Sequence, residues 1–244
     1  MNNYKLTIQY DGTDYAGWQI QNNAPTVQDE IRKAIKIILR EDVNLIGSGR
    51  TDSGVHALGQ VANFRTEKEI DEARFFLSLN SVLPASISIT RIEKADESFH
   101  ARFDAKSRSY IYLITKIKSP FYKKYSMFSP RFDSYDFDKL VSLSKLFLGE
   151  HDFTSFSRKL SETENKKCVI NSIAWRKNKE RVIFYIEANR FLHGMVRTIA
   201  GSLLQAVKEN RDEEFIKSIF EMRDREKAGE AVPPQGLFLY KVRY

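Results

Sequence analysis

The chain has 244 residues, 42% of them hydrophobic, enough for one large domain or two small ones with real cores, which sets disorder aside. No apolar run approaches the roughly 20 residues that a membrane helix needs, and the opening MNNYKLTIQY lacks the basic and apolar regions of a signal peptide, so a soluble, cytoplasmic protein without membrane contact is expected. The single cysteine, Cys168, excludes an internal disulfide, the four histidines show no ligand pair at metal-site spacing, and a net charge of +7 points toward an anionic partner.

Tyr4, Leu6, Ile8 and Tyr10 alternate with Lys5, Thr7 and Gln9, the pattern of a half-buried strand ending at the turn Asp11-Gly12. Pro25-Thr26 then opens a helix, with Thr26 as N-cap, Asp29 and Glu30 in the first turn, and Val27, Ile31, Ala34, Ile35, Ile38 and Leu39 on one apolar face. Further on, residues 61–64 read as a strand, 70–82 as a helix stopped by Pro84, and 87–92 as another strand. In the second half, 110–115 is a strand, and 136–148 a helix ended at Gly149. Residues 169–175 and 182–186 form a hairpin through Lys177-Asn178-Lys179, and 192–207 and 215–222 are helices before a closing strand at 237–242. Strands and helices with hairpins, rather than strict βαβ alternation, predict an α+β fold of two α/β-sandwich halves, 1–104 and 105–244.

Between the first helix and the strand at 61–64 stands GSGRTDSGVH, residues 47–56. A phosphate cradle fails on spacing. Gly47, Gly49 and Gly54 do not make G-x-G-x-x-G, and Val55-His56 stands where a P-loop carries Lys and Ser or Thr. What remains is an ordinary loop or a flexible mount for the charged pair inside it, Arg50 and Asp52.

The basic excess belongs to the second half: residues 1–110 hold 14 Lys and Arg against 15 Asp and Glu, residues 111–244 hold 25 against 17. Residues 105–132 contain seven basic and seven aromatic side chains and no acid. Such a mixture suits a polyanion with stackable bases, since phosphates set affinity through counterion release and aromatic faces take unpaired bases. Any one of these aromatics could equally be a core residue.

GSGRTDSGVHALGQVANF resembles the signature of the TruA family of tRNA pseudouridine synthases. So do YDGTDYAGWQIQ (10–21), FHARFDAKSRSYIYLI (99–114), GEHDFTSF (149–156), FLHGMVRTIAGSLL (191–204) and the terminal GLFLYKVRY, in the family's order and over nearly the whole chain. The resemblance implies an isomerase that converts uridine to pseudouridine in the anticodon stem-loop of tRNA, at positions 38, 39 and 40. It implies two related halves sharing a largely antiparallel sheet around a central basic cleft, a homodimer, and no cofactor or metal. By the match of motifs Asp52 is the catalytic aspartate and Arg50 its neighbour in the GRTD turn. Tyr110 is the active-site tyrosine of the R-x-Y segment, and Arg197 the arginine of the MVR helix.

The chemistry explains these residue types. Pseudouridine formation breaks the N1–C1′ bond, turns the uracil and rejoins it through C5. A carboxylate can attack C1′, take a proton from the sugar or add to the ring. In each case it must be ionised, and a nearby arginine, the role implied for Arg197, favours that form. The uridine must also leave its stack, at a cost of a few kcal/mol. Arg50 is suited to occupy the vacated space or hold a phosphate, and Tyr110 to lie against the flipped uracil.

Ser48 and Ser53 stand where the family often has alanine. Ala206-Val207-Lys208-Glu209 and Val232-Pro233-Pro234 depart from its usual helix end and loop. These departures bear on RNA preference, so a related synthase acting on ribosomal RNA or a broader RNA set is the nearest alternative. A noncatalytic RNA-binding protein is the other, against which stands Asp52, an acid that repels phosphate.

Overall fold

The computed structural model describes residues 1–158 and 164–244. In chain order its regular elements are β1 (Asn2–Tyr10), α1 (Val27–Leu39), β2 (Ile46–Gly47), β3 (His56–Thr66), α2 (Glu72–Val82), β4 (Ile87–Ala95) and β5 (Ser107–Thr115). There follow β6 (Met127–Phe128), α3 (Phe137–Ser144), β7 (Gly149–Asp152), β8 (Lys167–Lys177), β9 (Arg181–Ala188), α4 (Met195–Lys208), α5 (Glu213–Met222) and β10 (Leu237–Arg243). Among the described residues, five α-helices and ten mostly antiparallel strands make the α+β fold that the pattern predicts. The chain divides into two compact units, Met1–Lys106 with Phe238–Tyr244, and Ser107–Leu237.

In the first unit the strand order is β4-β1-β3-β10, with β2 also on β3. β1 pairs antiparallel with β3 and β4, whereas β10 runs parallel to the start of β3, Phe238 opposite His56. The alternation in β1 does what it predicts: Tyr4, Leu6, Ile8 and Tyr10 are buried, while Gln9 is exposed. Ile31 and Ile35 of α1, Phe64 of β3, and Phe75 and Leu79 of α2 share that core, each such side chain contributing about 1.5–3 kcal/mol on burial. Thr26 is the N-cap residue of α1, but its hydroxyl is buried with no partner among the described residues and makes no cap bond. In α2 the cap is made, Asp71 accepting from the Arg74 N–H.

In the second unit the order is β5-β9-β8-β7, every neighbour antiparallel, with β6 parallel on β5. The hairpin between β8 and β9 turns at 178–180, one residue later than its composition suggests, because the Asn178 carboxamide accepts from the backbone N–H groups of Glu180 and Arg181. α3 ends at Ser144 and tightens into a 3-10 turn, Lys145–Phe147, shorter than the span read from sequence. Phe147, Phe153, Phe156 and Phe220 form one aromatic cluster, with Phe156 and Phe220 centroids 4.9 Å apart. The Phe residues of GEHDFTSF are therefore packing residues.

Candidate active site

The turn 47–56 leads directly into β3 and is held by the segment 10–21. The Tyr10 hydroxyl lies 2.8 Å from Thr51 Oγ1 in a buried hydrogen bond, and the Trp18 N–H donates to Thr51 O at 3.2 Å. Gly54 N–H and Ser53 Oγ both donate to Tyr15 O, at 3.3 and 3.1 Å. Gly12 N–H donates to His56 Nδ1 at 3.1 Å. Asp11 Oδ1, which accepts from Thr13 N–H and Oγ1, lies 3.2 Å from the same nitrogen. YDGTDYAGWQIQ and GSGRTDSGVH are thus two sides of one clamp.

Close approach decides where glycine is needed. A Cβ on Gly17, whose φ is +104°, would stand 2.5 Å from Thr51 O and 3.1 Å from the carbonyl carbon of Asp52, and one on Gly47 would run into the indole of Trp18. Around Gly49 there is open space. Below the turn, Ser48 Oγ donates to Gln60 Oε1 at 2.6 Å, and Gln60 Nε2 donates to Gly49 O at 2.9 Å. Ser48 is thereby a working part of the anchor. Thr51 and Val55 are buried, Asp52 between them is half-buried, and Arg50 is exposed with its Nε donating to Gln19 Oε1 at 3.2 Å. The clamp fixes the backbone on both sides of a carboxylate that keeps access to solvent.

Tyr110 and Arg197 belong to the second unit. Tyr110 sits on β5, buried, its ring meeting Phe191 edge-on with centroids 5.2 Å apart. Arg197 is half-buried on α4, where its Nε donates to Val232 O at 2.7 Å while its own carbonyl accepts the Val232 N–H. Tyr112, two residues along β5, donates to Pro233 O at 2.9 Å. Burial pushes the Tyr112 phenol well above its ordinary range, the Arg197 guanidinium pulling the other way without offsetting it, so the proton stays on. Val232-Pro233-Pro234, a departure from the family pattern, is therefore the segment that orients Arg197.

The sequence places Arg50 and Asp52 in one turn, and the structure keeps them there with a support that sequence reasoning did not assign: Tyr10, Gln19, Thr51, His56 and Gln60. Gln60 is fully buried on β3, which becomes apparent only with the fold. The basic aromatic stretch 105–132 divides: Tyr110, Tyr112 and Phe132 are buried, Phe121 (82% exposed) and Phe128 lie in solvent, and Tyr122 carries the Arg181 guanidinium 4.2 Å from its ring centre. No group of His, Cys, Asp or Glu among the described residues could hold a metal ion, and no described helix is long and apolar enough to cross a membrane.

A family model described as tRNA pseudouridine synthase matches residues 6–104 and 143–244. A protein of Caldicellulosiruptor saccharolyticus named tRNA pseudouridine synthase A is 46% identical over 249 residues, which cover 100% of both chains. Proteins of the same name from Finegoldia magna and Brachyspira hyodysenteriae are 38% identical over 252 residues, again 100% of both, and 40% identical over 245 residues, 99% of this chain and 98% of that one. Among solved structures, a chain in "Structure of H/ACA RNP bound to a substrate RNA containing 2'-deoxyuridine" matches 82% of this chain and 43% of its own length at 12% identity, with a TM-score of 0.38. With the family model covering most of the chain and relatives matching its full length, the chain belongs to the tRNA pseudouridine synthase family.

Proposed function

We propose that the chain isomerises uridine to pseudouridine in the anticodon stem-loop of tRNA, with Asp52 as the catalytic carboxylate. The observation that carries this reading is the clamp on the 47–56 turn: hydrogen bonds joining Tyr10, Gly12, Tyr15 and Trp18 to Thr51, Ser53, Gly54 and His56 hold the backbone around one half-buried aspartate. A carboxylate so fixed acts at the sugar or the uracil ring while the N1–C1′ bond breaks and the C5–C1′ bond forms; C5 then loses its proton and N1 gains one, so that product and substrate are isomers. Arg50, exposed beside it, serves the flipped nucleotide or its phosphate. Tyr110 and Arg197 are further substrate-binding residues of this reading, both held within the second unit before RNA arrives. The protein works as a cytoplasmic homodimer and needs no cofactor.

The test is a map of pseudouridine in tRNA and ribosomal RNA from cells lacking the gene. Loss confined to the anticodon arm supports the proposal. Loss in ribosomal RNA moves the substrate, and an unchanged map in both RNAs refutes it.

A further inference from the structure

The loop 99–104 of the first unit, FHARFD, presents an aromatic ring to solvent and fixes it there. Phe103 is 74% exposed. The imidazole of His100 packs against it with ring centres 4.3 Å apart at 30°, and the Arg102 guanidinium carbon lies 5.6 Å from its centroid. Single exposed hydrophobes are ordinary, but the loop that carries this one is tied down. Ala101, fully buried, has its N–H accepted by Asn63 Oδ1 at 2.9 Å and its carbonyl bonded by the Tyr244 hydroxyl at 2.8 Å. Asn3 Nδ2 donates to Phe99 O, also at 2.9 Å. The His100 N–H donates to Asp104 Oδ2 at 2.8 Å, and His100 Nδ1 accepts from the N–H groups of Arg102 and Phe103 at 3.2 and 3.3 Å. The one acid in the loop is thus turned onto its own backbone, while Arg102 and Lys106 stand exposed.

We infer that Phe103 is a stacking platform for an unpaired base of the RNA substrate, with Arg102 and Lys106 as its phosphate contacts. The inference rests on the proposed activity on tRNA and adds a binding residue to it. A flat, exposed ring held at a fixed angle beside two cations is what sequence-tolerant recognition of single-stranded RNA requires: every base has a face to stack, and the backbone beside it is anionic. A second copy of the chain fits the patch less well. A second copy docked on this ring would add cations of its own to a patch that already holds Arg102 and Lys106, whereas RNA brings phosphates to them. Fixing the loop in advance also means that little conformational freedom is lost when the base arrives.

The experiment compares Phe103→Leu with Phe103→Trp in the full chain, using a transcribed tRNA as the probe. It reads the tRNA Kd, KM and kcat for tritium release from 5-tritiated uridine, Tm, and particle mass by light scattering. A base stacked on an aromatic residue is worth about 1–3 kcal/mol, so Phe103→Leu should weaken tRNA binding about 5- to 150-fold. The loss should lie in KM, with kcat, Tm and mass unchanged, and Phe103→Trp should restore wild-type affinity. The inference is overturned if Phe103→Leu binds as tightly as the wild type, or if Trp fails as badly as Leu. A change in particle mass for the Leu variant would assign the ring to a contact between copies and overturn it as well. An active wild type with an unaffected Leu variant sinks only the platform, whereas a wild type that makes no pseudouridine in tRNA sinks the activity beneath it.

Discussion

Two loops of the first unit, 47–56 and 99–104, are both pinned by residues far away in sequence, and they use the pinning for opposite ends. The 47–56 turn is clamped against the segment 10–21 by backbone and side-chain hydrogen bonds together, an approach so close that Gly17 cannot carry a side chain without meeting the peptide of Thr51 and Asp52. What it presents is a half-buried carboxylate. The 99–104 loop is held by side chains instead, Asn63 and Tyr244 reaching the two peptide groups of Ala101, and it presents an exposed ring. The difference follows the task. Chemistry at a reacting atom tolerates little positional error, and peptide groups in direct contact have no rotamers to lose. Stacking tolerates some sliding, so side-chain ties at Phe99 and Ala101 suffice.

The largest effect expected from breaking this comparison comes from Asp52→Asn, which keeps the shape of the presented group and removes its charge. Tritium release from 5-tritiated uridine in tRNA should fall by roughly 10³-fold or more, while tRNA affinity stays close to wild type; release at the wild-type rate would remove Asp52 from the chemistry. Next comes Gly17→Ala. An alanine at a φ of +104° is strained, and its Cβ would stand 2.5 Å from Thr51 O. The strain alone costs about 1–3 kcal/mol, a fall in Tm of about 3–10 °C for a chain of this size. The displaced turn should lower kcat by about 10- to 100-fold with Phe103-dependent tRNA binding intact. If Tm falls and kcat does not, the clamp stabilises the fold without aiming Asp52.

Local pattern carried much of the fold into view. Tyr4, Leu6, Ile8 and Tyr10 mark β1 because a strand shows alternate faces to the core, and Asp136 marks the start of α3 because its carboxylate accepts the Lys139 N–H. Pairing at a distance stayed hidden. The last strand joins the first unit through Phe238 opposite His56, and no property of GLFLYKVRY by itself selects β3 as its neighbour. β7 has four residues, too few to show alternation. In the candidate site, the failed glycine spacing of 47–56 left an ordinary loop and a mount for Arg50 and Asp52 both open, and only the resemblance of the motif singled out that pair. Its support was not legible, since Gly17 and Gly47 are required by backbone and indole that come near only after folding. Asn63 and Gln60 show that loops hang from β3 only once their burial and partners are known.

β3 carries both loops, His56 at its start and Asn63 within it, and this gives the smallest and most discriminating change. Asn63→Ala removes the acceptor of the Ala101 N–H and the donor to Asn3 Oδ1 in a buried region, at about 1–3 kcal/mol. The hydrogen bonds of the 47–56 turn involve none of these atoms, so kcat at saturating tRNA should not change. With Ala101 still held by Tyr244, the ring of Phe103 gains freedom rather than leaving its place. KM should therefore rise by a few-fold, less than for Phe103→Leu, and adding Phe103→Leu to Asn63→Ala should cost less than it does in the wild type because both changes act on one contact. Steady-state kinetics of the four proteins in that cycle measure it. A fall in kcat for Asn63→Ala would mean that β3 couples the two loops, and full additivity in KM would mean that Asn63 serves stability without holding the ring.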